Sequence, residues 1–424
     1  MQTYIDTRTV VREEAEFVAS RFSVDIPEEH TCHEEAVRMV FTEIMRAGCG
    51  TLSREAFQDA LHTLGAQMGV SDAGSLLTFN LEARTEVIKK ALPLYKSFIT
   101  TPAFHARELM RVKEYLKNIL ALAHEDAKGR AHDAFVNTAV DIRDWRFSFE
   151  IDEYITAVEN VTRADLLKIH KAVFAHPWKH TVGGTETTCA LVVKSIASYA
   201  PKQIYTEECV TTTVRTLEST SLTLTDIPAK QNIEFSIGGT LPITFEHPDT
   251  PALTLGMNVL GMYGGFAGRL MSTVREKEGL TYTTYSRLED ITRYDEGYWR
   301  IMTFFNPKDT MRGIASTLRE VRSLGHKGIT ADELSRFKTI MRTRRILEQD
   351  SLLQTLGSAH ARHTANIDDA LYATYIAHID ALTLTEVNDA LKRHLVGQPV
   401  VLSAAGPVSA LKSEIAKTFE NTVI

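Results

Sequence analysis

The stretch GGFAGRLMSTVREKEGLTYTTYSR, running from Gly264 to Arg287, reads as a glycine turn, an amphipathic helix and then a strand that brings Arg275 and Tyr282 to one place. Leu270, Met271 and Val274 recur at helical spacing and mark the buried side of that helix. An arginine and a tyrosine seven residues apart across a helix-to-strand turn can face one cleft. The guanidinium gives a fixed fork of donors and the phenol a single directional one, a set suited to the carbonyl oxygens of a peptide. Taken alone, the same two residues also read as an arginine in a surface ion pair and a tyrosine packed in a sheet. Gly264, Gly265 and Gly268 read as the end of one helix and the start of the next.

Outward from this stretch, the chain repeats itself. Thr85 to Leu120 is a helix, a short turn and a second helix, and Lys308 to Leu347 has the same layout. Glu108-Leu109 lies opposite Glu333-Leu334, an offset of 225. VTRADLLKIHKAVFAHP (Val161 to Pro177) parallels LTLTEVNDALKRHLVGQP (Leu382 to Pro399), an offset of 221 at the first pair. Each copy leads into a strand-like segment, TVGGT or VVLSAAG. The spacing predicts two homologous domains, residues 1–203 and 227–424, joined by the Thr-rich linker 204–226.

Both halves mix helices and strands. Val37, Val40, Phe41, Ile44 and Met45 recur at helical spacing, and Ser53 is placed to cap a helix with apolar positions Phe57, Ala60, Leu61 and Leu64. AEFVASRFSVDIP reads as a strand, and Leu77, Phe79 and Leu81 alternate with polar residues as in a half-buried one. Leu253, Met257 and Leu260 predict a further helix; Trp299, Ile301, Thr303 and Phe305 a further strand, with Met302, Phe304 and Phe305 as core or domain interface. The class is α+β, each domain a mostly antiparallel sheet packed with helices.

At 424 residues the chain is too long for one ordinary core. A formal charge of −7 argues against a nucleic-acid or anionic-membrane partner. Cys32, Cys49, Cys189 and Cys209 have no C-x-x-C spacing and read as reduced thiols. No apolar run approaches the ~20 residues of a membrane span. The charged first twenty residues hold no signal-peptide core, so the expected location is the cytoplasm, or the periplasm if residue 1 is a processed start.

With the two-fold repeat, the run Arg275-Glu276-Lys277-x-Gly279-Leu280-x-Tyr282 resembles the pitrilysin/insulinase family of zinc peptidases, the inverzincins. Gly48, Leu52-Ser53-Arg54-Glu55 and Leu64-Gly65-Ala66 carry the likeness in the first half. The resemblance implies two homologous lobes forming half of a clamshell around a peptide. It also implies a zinc ion held by H-x-x-E-H on the first long helix, with two histidines on one face and a glutamate that polarises water. Registered on Gly48 and Ser53, that motif falls on Met39-Val40-Phe41-Thr42-Glu43, where neither histidine nor the catalytic glutamate is present. The degenerate positions are Met39, Thr42 and Glu43, and Glu114 falls near the expected third ligand. Few residues precede Glu34, so a trimmed N-terminal sheet is expected.

Other histidines offer weaker alternatives. His30-Thr-Cys-His33-Glu34 reads as a loop entering the helix, either a metal site or a polar segment whose acids favour the helix N-terminus. His360 and His363 lie three apart on a predicted helix without a matching carboxylate; His170, His176 and His180 are placed to bond helix-terminal carbonyls. Arg342, Arg344 and Arg345 read as a solvated helix face.

The resemblance, less its metal motif, implies a non-catalytic subunit of a two-chain zinc peptidase, with no activity and no cofactor of its own. The zinc belongs to a homologous H-x-x-E-H partner. Arg275 and Tyr282 bind peptide and stabilise the oxyanion in the partner's site, and Gly264 and Gly265 stand where such subunits carry a glycine-rich loop near the substrate. A proteolytically inactive binding or scaffold protein of the same fold is the second reading.

Overall fold

The structure, a computed structural model, describes residues 4–26, 29–74, 76–202 and 211–420. Cys209 and the opening of the expected linker lie outside the described residues.

The first half holds β1 (Ile5–Val11), β2 (Phe17–Asp25), α1 (Cys32–Ile44), α2 (Arg54–Leu64), β3 (Gln67–Ala73) and β4 (Leu76–Arg84). It continues with α3 (Ile88–Thr100), α4 (Ala106–Ala123), α5 (Ala127–Ala139), α6 (Ile151–Asn160), α7 (Arg163–Val173), β5 (Trp178–Gly184) and α8 (Glu186–Ala197). The second half holds β6 (Ser221–Asp226), β7 (Ile233–Leu241), α9 (Thr250–Gly261), a π-helix (Met271–Lys277), β8 (Thr284–Glu289) and β9 (Gly297–Phe305). It ends with α10 (Thr310–Lys327), α11 (Ala331–Glu348), α12 (Leu352–Thr364), α13 (Asp369–Ala381), α14 (Leu384–Leu395), β10 (Val401–Gly406) and α15 (Lys412–Glu420).

The repeat predicted from sequence is a repeat of topology. The first sheet runs β1-β5-β2-β4-β3 and the second β6-β10-β7-β9-β8, the same order strand for strand. In each, the outermost pair at one edge is parallel and the other pairs are antiparallel. Both sheets have five strands, so the expected trimming of the N-terminal sheet is not found; β1 and β2 fit into the short leader. The paired helices α7 and α14 start alike. Thr162 and Thr383 each cap their helix while Asp165 and Glu386 at N3 bond back, a reciprocal capping box.

The chain divides into two compact units. The first comprises Met1–Ala121, Phe149–Glu208 and Arg345–Asn366; the second comprises Leu122–Ser148, Cys209–Arg344 and Ile367–Ile424. Each sequence half thus lends one segment to the unit built on the other half's sheet. In the first unit, α12 lies on the outer face of the sheet, where a side chain at Gly183 would meet Leu352 and Leu356. In the second, α5 packs Phe135 and Val136 against Tyr298 and Val401. This explains why β5 and β10 are buried almost throughout, since a central strand covered on both faces has no solvent side.

The inner faces carry the cores. Phe22 stacks on Phe79 at 4.6 Å and on Trp178 at 4.1 Å in the first unit. In the second, Phe235, Ile237, Trp299, Ile301 and Phe305 close against α9, α10 and α14. Of the residues expected in the core or at a domain interface, Phe305 lies in the core, while Met302 and Phe304 alternate to the other face of β9 and are half-buried. Among the described residues no helix is long and apolar enough to cross a membrane.

Candidate functional site

Arg275 is carried by the π-helix, not by a regular α-helix as the periodicity predicts. Glu278 N donates to Thr273 O at 3.0 Å, an i to i−5 bond, and the turn closes at Gly279, whose φ of +65° suits a residue without a Cβ. Leu270, Val274 and Leu280 are buried in the second unit's core and fix the helix from below. Tyr282 is not on the strand as expected; it lies in the bend two residues before β8. The two residues still meet. The Arg275 guanidinium carbon lies 4.8 Å from the centre of the Tyr282 ring.

The sequence reading missed a third member. Phe266, on the glycine loop between α9 and the π-helix, also lies 4.8 Å from the same guanidinium carbon. Phe266 is 74% exposed and Tyr282 71%, unusual for large rings with no role outside a core. The signal available in sequence was an aromatic residue between Gly265 and Ala267-Gly268. Attraction between a guanidinium and a ring takes up no hydrogen-bond acceptor, so the N–H groups remain for a ligand. Among the described residues, neither the Arg275 guanidinium nor the Tyr282 hydroxyl has a hydrogen-bond or ion-pair partner.

The loop itself is anchored. Gly264 has φ +70° and Gly268 φ +117°, and a Cβ on Gly268 would lie 2.8 Å from Gly261 Cα. Arg344 donates to the Tyr263 carbonyl at 2.9 Å, and the Tyr263 ring packs edge-on to Tyr285 and over Arg287. The Gly265 amide turns back to the Met262 carbonyl at 3.4 Å, so it closes the turn. Behind this surface, Arg300 grips Glu289 through two bonds of 2.6 and 2.8 Å, and Arg287 bonds the same carboxylate.

The face of α1 onto which the sequence resemblance registers the metal motif is helical and does not carry that motif's donors. Met39, Thr42 and Glu43, at i, i+3 and i+4, are all half-exposed, while Val37, Val40, Phe41 and Ile44 are buried behind them. Thr42 Oγ1 donates to the Met39 carbonyl at 2.9 Å, and Glu43 pairs with Arg46 at 3.6 Å. Glu114 pairs with Lys117 at 2.7 Å and is two-thirds exposed. A thioether, a hydroxyl engaged with the backbone and one carboxylate do not match the imidazole and carboxylate set that holds catalytic zinc.

His30, His170, His180, His360 and His363 are held by structural contacts. Thr31 caps α1, and His33 lies inside the helix, not on the loop before it. His30 pairs with Glu35 at 3.2 Å, and Glu35 also accepts from Tyr154. His170 bonds the Ile99 carbonyl at the end of α3, as predicted; His180 instead sits in the middle of β5, bonded to Ser20 and Thr7. His360 and His363 are buried against the first sheet.

His247, Asp249 and His394 converge with ligand atoms within 4.8 Å of one another, a grouping that sequence spacing does not reveal. Its chemistry opposes a cation. Arg393 holds both Asp249 oxygens, at 2.7 and 3.1 Å, and His394 takes the second at 2.9 Å. His247 Nδ1 accepts from the Asp249 amide, which places that ring's proton on Nε2. The trio ties the C-terminus of α14 to the N-terminus of α9.

Burial pushes the Cys32 and Cys189 thiols up to about 11, and Cys49 is raised too, so these thiols are not nucleophiles near neutral pH.

Residues 186–341 match the model of the peptidase M16 inactive domain. The chain is 27% identical over 140 residues to "Non-peptidase homolog YmxG" of Helicobacter pylori; that match spans 32% of this chain and 31% of the relative. The crystal structure of a peptidase M16 inactive domain from Pseudomonas fluorescens superposes with a TM-score of 0.81 at 19% identity, over 95% of each chain. A structure described as a protease from Helicobacter pylori gives 0.81 at 14% identity, over 96% of this chain and 98% of that one. These structures establish the fold. With the matched segment, they bear out the resemblance to the pitrilysin/insulinase family in its inactive form.

Proposed function

We propose, from the premise that this chain carries the inactive domain of the M16 family, that it is the non-catalytic subunit of a heterodimeric zinc peptidase. The observation that carries this reading is the pairing of Arg275 with Tyr282, their donors open, in a chain whose α1 face lacks metal ligands. A homologous H-x-x-E-H subunit supplies the zinc and the water-activating glutamate. This chain binds the peptide and directs the Arg275 N–H groups and the Tyr282 hydroxyl at the carbonyl oxygen under attack. Donors fixed in advance need no reorganisation as negative charge develops there. Gly264 and Gly265 shape the loop that borders the peptide.

The test is reconstitution with an H-x-x-E-H homologue and a casein substrate. Tyr282→Phe removes one donor and is expected to lower turnover of the pair by ~10²–10³ while the partner's zinc content stays constant. Unchanged turnover refutes the assignment. The second reading, a binding or scaffold protein without proteolysis, is favoured by the Helicobacter pylori relative, a non-peptidase homolog. Hydrolysis that appears only on mixing the two chains separates the readings.

A further inference from the structure

We propose that Phe266 is a positioning residue for Arg275, so that the binding element is a three-residue clamp and not a pair. The inference rests on the peptide-binding reading above.

Several stacked arginines in this chain hold a carboxylate as well as a ring. Arg146 lies over Trp145 and bonds Asp144, Arg287 lies over Tyr263 and bonds Glu289, and Arg293 lies over Tyr294 and bonds Glu246. Among the described residues, Arg275 and Arg336, which lies over Phe337, pair with no acid, and Arg275 differs from all of these in lying over two rings. Two ring contacts hold a guanidinium in place without occupying its donors with an acceptor, whereas a carboxylate holds it by occupying them.

The backbone shows why Phe266 is held at the right place. Its neighbour Ala267 packs on the second unit's core, and the Ala267 carbonyl accepts from the Met262 amide at 3.3 Å. Gly268 then turns hard against Gly261, in a conformation that leaves no room for a Cβ. The phenyl ring between these anchors takes no part in the core, and among the described residues its ring contact is Arg275. The clamp therefore presents the N–H edge of Arg275, beside the Tyr282 hydroxyl, to the backbone carbonyls of an extended polypeptide. Orienting that edge before binding removes rotamer freedom that association would otherwise have to freeze.

The experiment has two arms on the full chain. In the first, phenylglyoxal modification of Arg275 is followed by peptide mapping for the wild type, Phe266→Ala, Phe266→Leu and Phe266→Trp. Loss of an exposed cation–π contact corresponds to about a two- to five-fold change, so the Ala and Leu variants are expected to react faster by that factor and the Trp variant to match the wild type. Equal rates in all four overturn the clamp. In the second arm, fluorescein-labelled β-casein is titrated onto the same proteins and onto Arg275→Ala. Weakening of about two- to five-fold in Phe266→Ala and Phe266→Leu, with recovery in Phe266→Trp, supports the positioning role. If Arg275→Ala weakens casein binding while Phe266→Ala does not, the positioning role falls and peptide binding by Arg275 stands. If Arg275→Ala leaves casein binding unchanged, the peptide-binding reading falls, and the stacked geometry is judged by the first arm alone. Phe266 lies outside the core, so its variants are expected to melt with the wild type.

Discussion

His360 Nε2 on α12 lies 2.7 Å from Ser23 Oγ on β2, residues separated by 337 positions in the chain. The other ring nitrogen meets Thr181 Oγ1 at 3.0 Å, so the imidazole joins helix to sheet through hydroxyls alone. Burial first, then the charges facing it from His363, Arg21 and Lys179, bring its pKa down to about 4. His180, on the other face of the same sheet, is brought down to about 3 by burial and by His360 and His363.

Acid should therefore loosen the first unit. The unfolded chain takes up a proton near pH 6.5 while folded His360 resists until about 4, so in this window the unfolded state binds more protons. Stability from this group is whole above pH 6.5 and declines as pH falls from 6.5 to about 4, by on the order of 1–3 kcal/mol. Urea titrations at pH 7.5 and 5.0 on wild type and His360→Asn measure it. The variant is expected to be less stable at pH 7.5 but to lose less on acidification; equal losses exclude His360 as the source.

That contact also shows where sequence reading stops. Helical periodicity in α12 gives a buried face but not the sheet that buries it, and neither α5 nor α12 packs on the sheet of its own half. The two-fold repeat was legible because capping residues and apolar spacing are local, as with Ser53, which accepts from the Ala56 amide at the start of α2. The meeting of Arg275 and Tyr282 was legible for the same reason, being confined to one helix and one turn. The π-helical winding that carries Arg275, and the reach of Phe266, depend on core packing under the loop and leave no periodic trace.

Gly268 and Gly264 both hold positive φ, yet their surroundings differ. A Cβ at Gly268 would press on Gly261 backbone at 2.8 Å, whereas at Gly264 the nearest atom, at 3.7 Å, is the end of the Arg344 side chain. Gly264→Ala carries the conformational term alone, roughly 1 kcal/mol, and Gly268→Ala adds a backbone clash, for on the order of 2–3 kcal/mol in all. Thermal melts of both variants check the ranking. A Gly268→Ala protein that melts no lower than Gly264→Ala contradicts it. The same substitution should weaken casein binding, since it displaces the loop that carries Phe266.

Glu289 and Arg300 are both buried, at 8% and 3% exposure, and Arg300 also reaches Ser236 Oγ at 3.2 Å. Truncating the carboxylate strands a buried guanidinium, so Glu289→Ala is expected to destabilise by about 3–5 kcal/mol. Removing both charges, as Glu289→Gln with Arg300→Met, should cost less than that single change, because no fully buried ion is left uncompensated; Arg287, the carboxylate's other partner, has a side chain 46% exposed to water. Denaturant midpoints of the single and double variants decide it, and a double variant weaker than Glu289→Ala contradicts the account.

The i, i+4 spacing of Met39 and Glu43 on one half-exposed face of α1 makes a further experiment possible. The helix is intact and its buried side is formed by other residues, so Met39→His with Glu43→His should place two imidazoles together without disturbing the core. Zinc is expected to bind the double variant and to raise its melting temperature in proportion to the logarithm of added metal, since the ion binds the folded state preferentially. The wild-type chain, with a thioether and a lone carboxylate at those positions, is expected to show no such shift. Adding Thr42→Glu supplies the water-activating carboxylate of the complete motif. If that triple variant alone hydrolyses casein, the first unit has kept the scaffold of a peptidase and lost only its donors. If zinc binds and hydrolysis does not follow, the first unit has lost more of the catalytic site than the donors on α1, the third ligand included, since Glu114 is paired with Lys117.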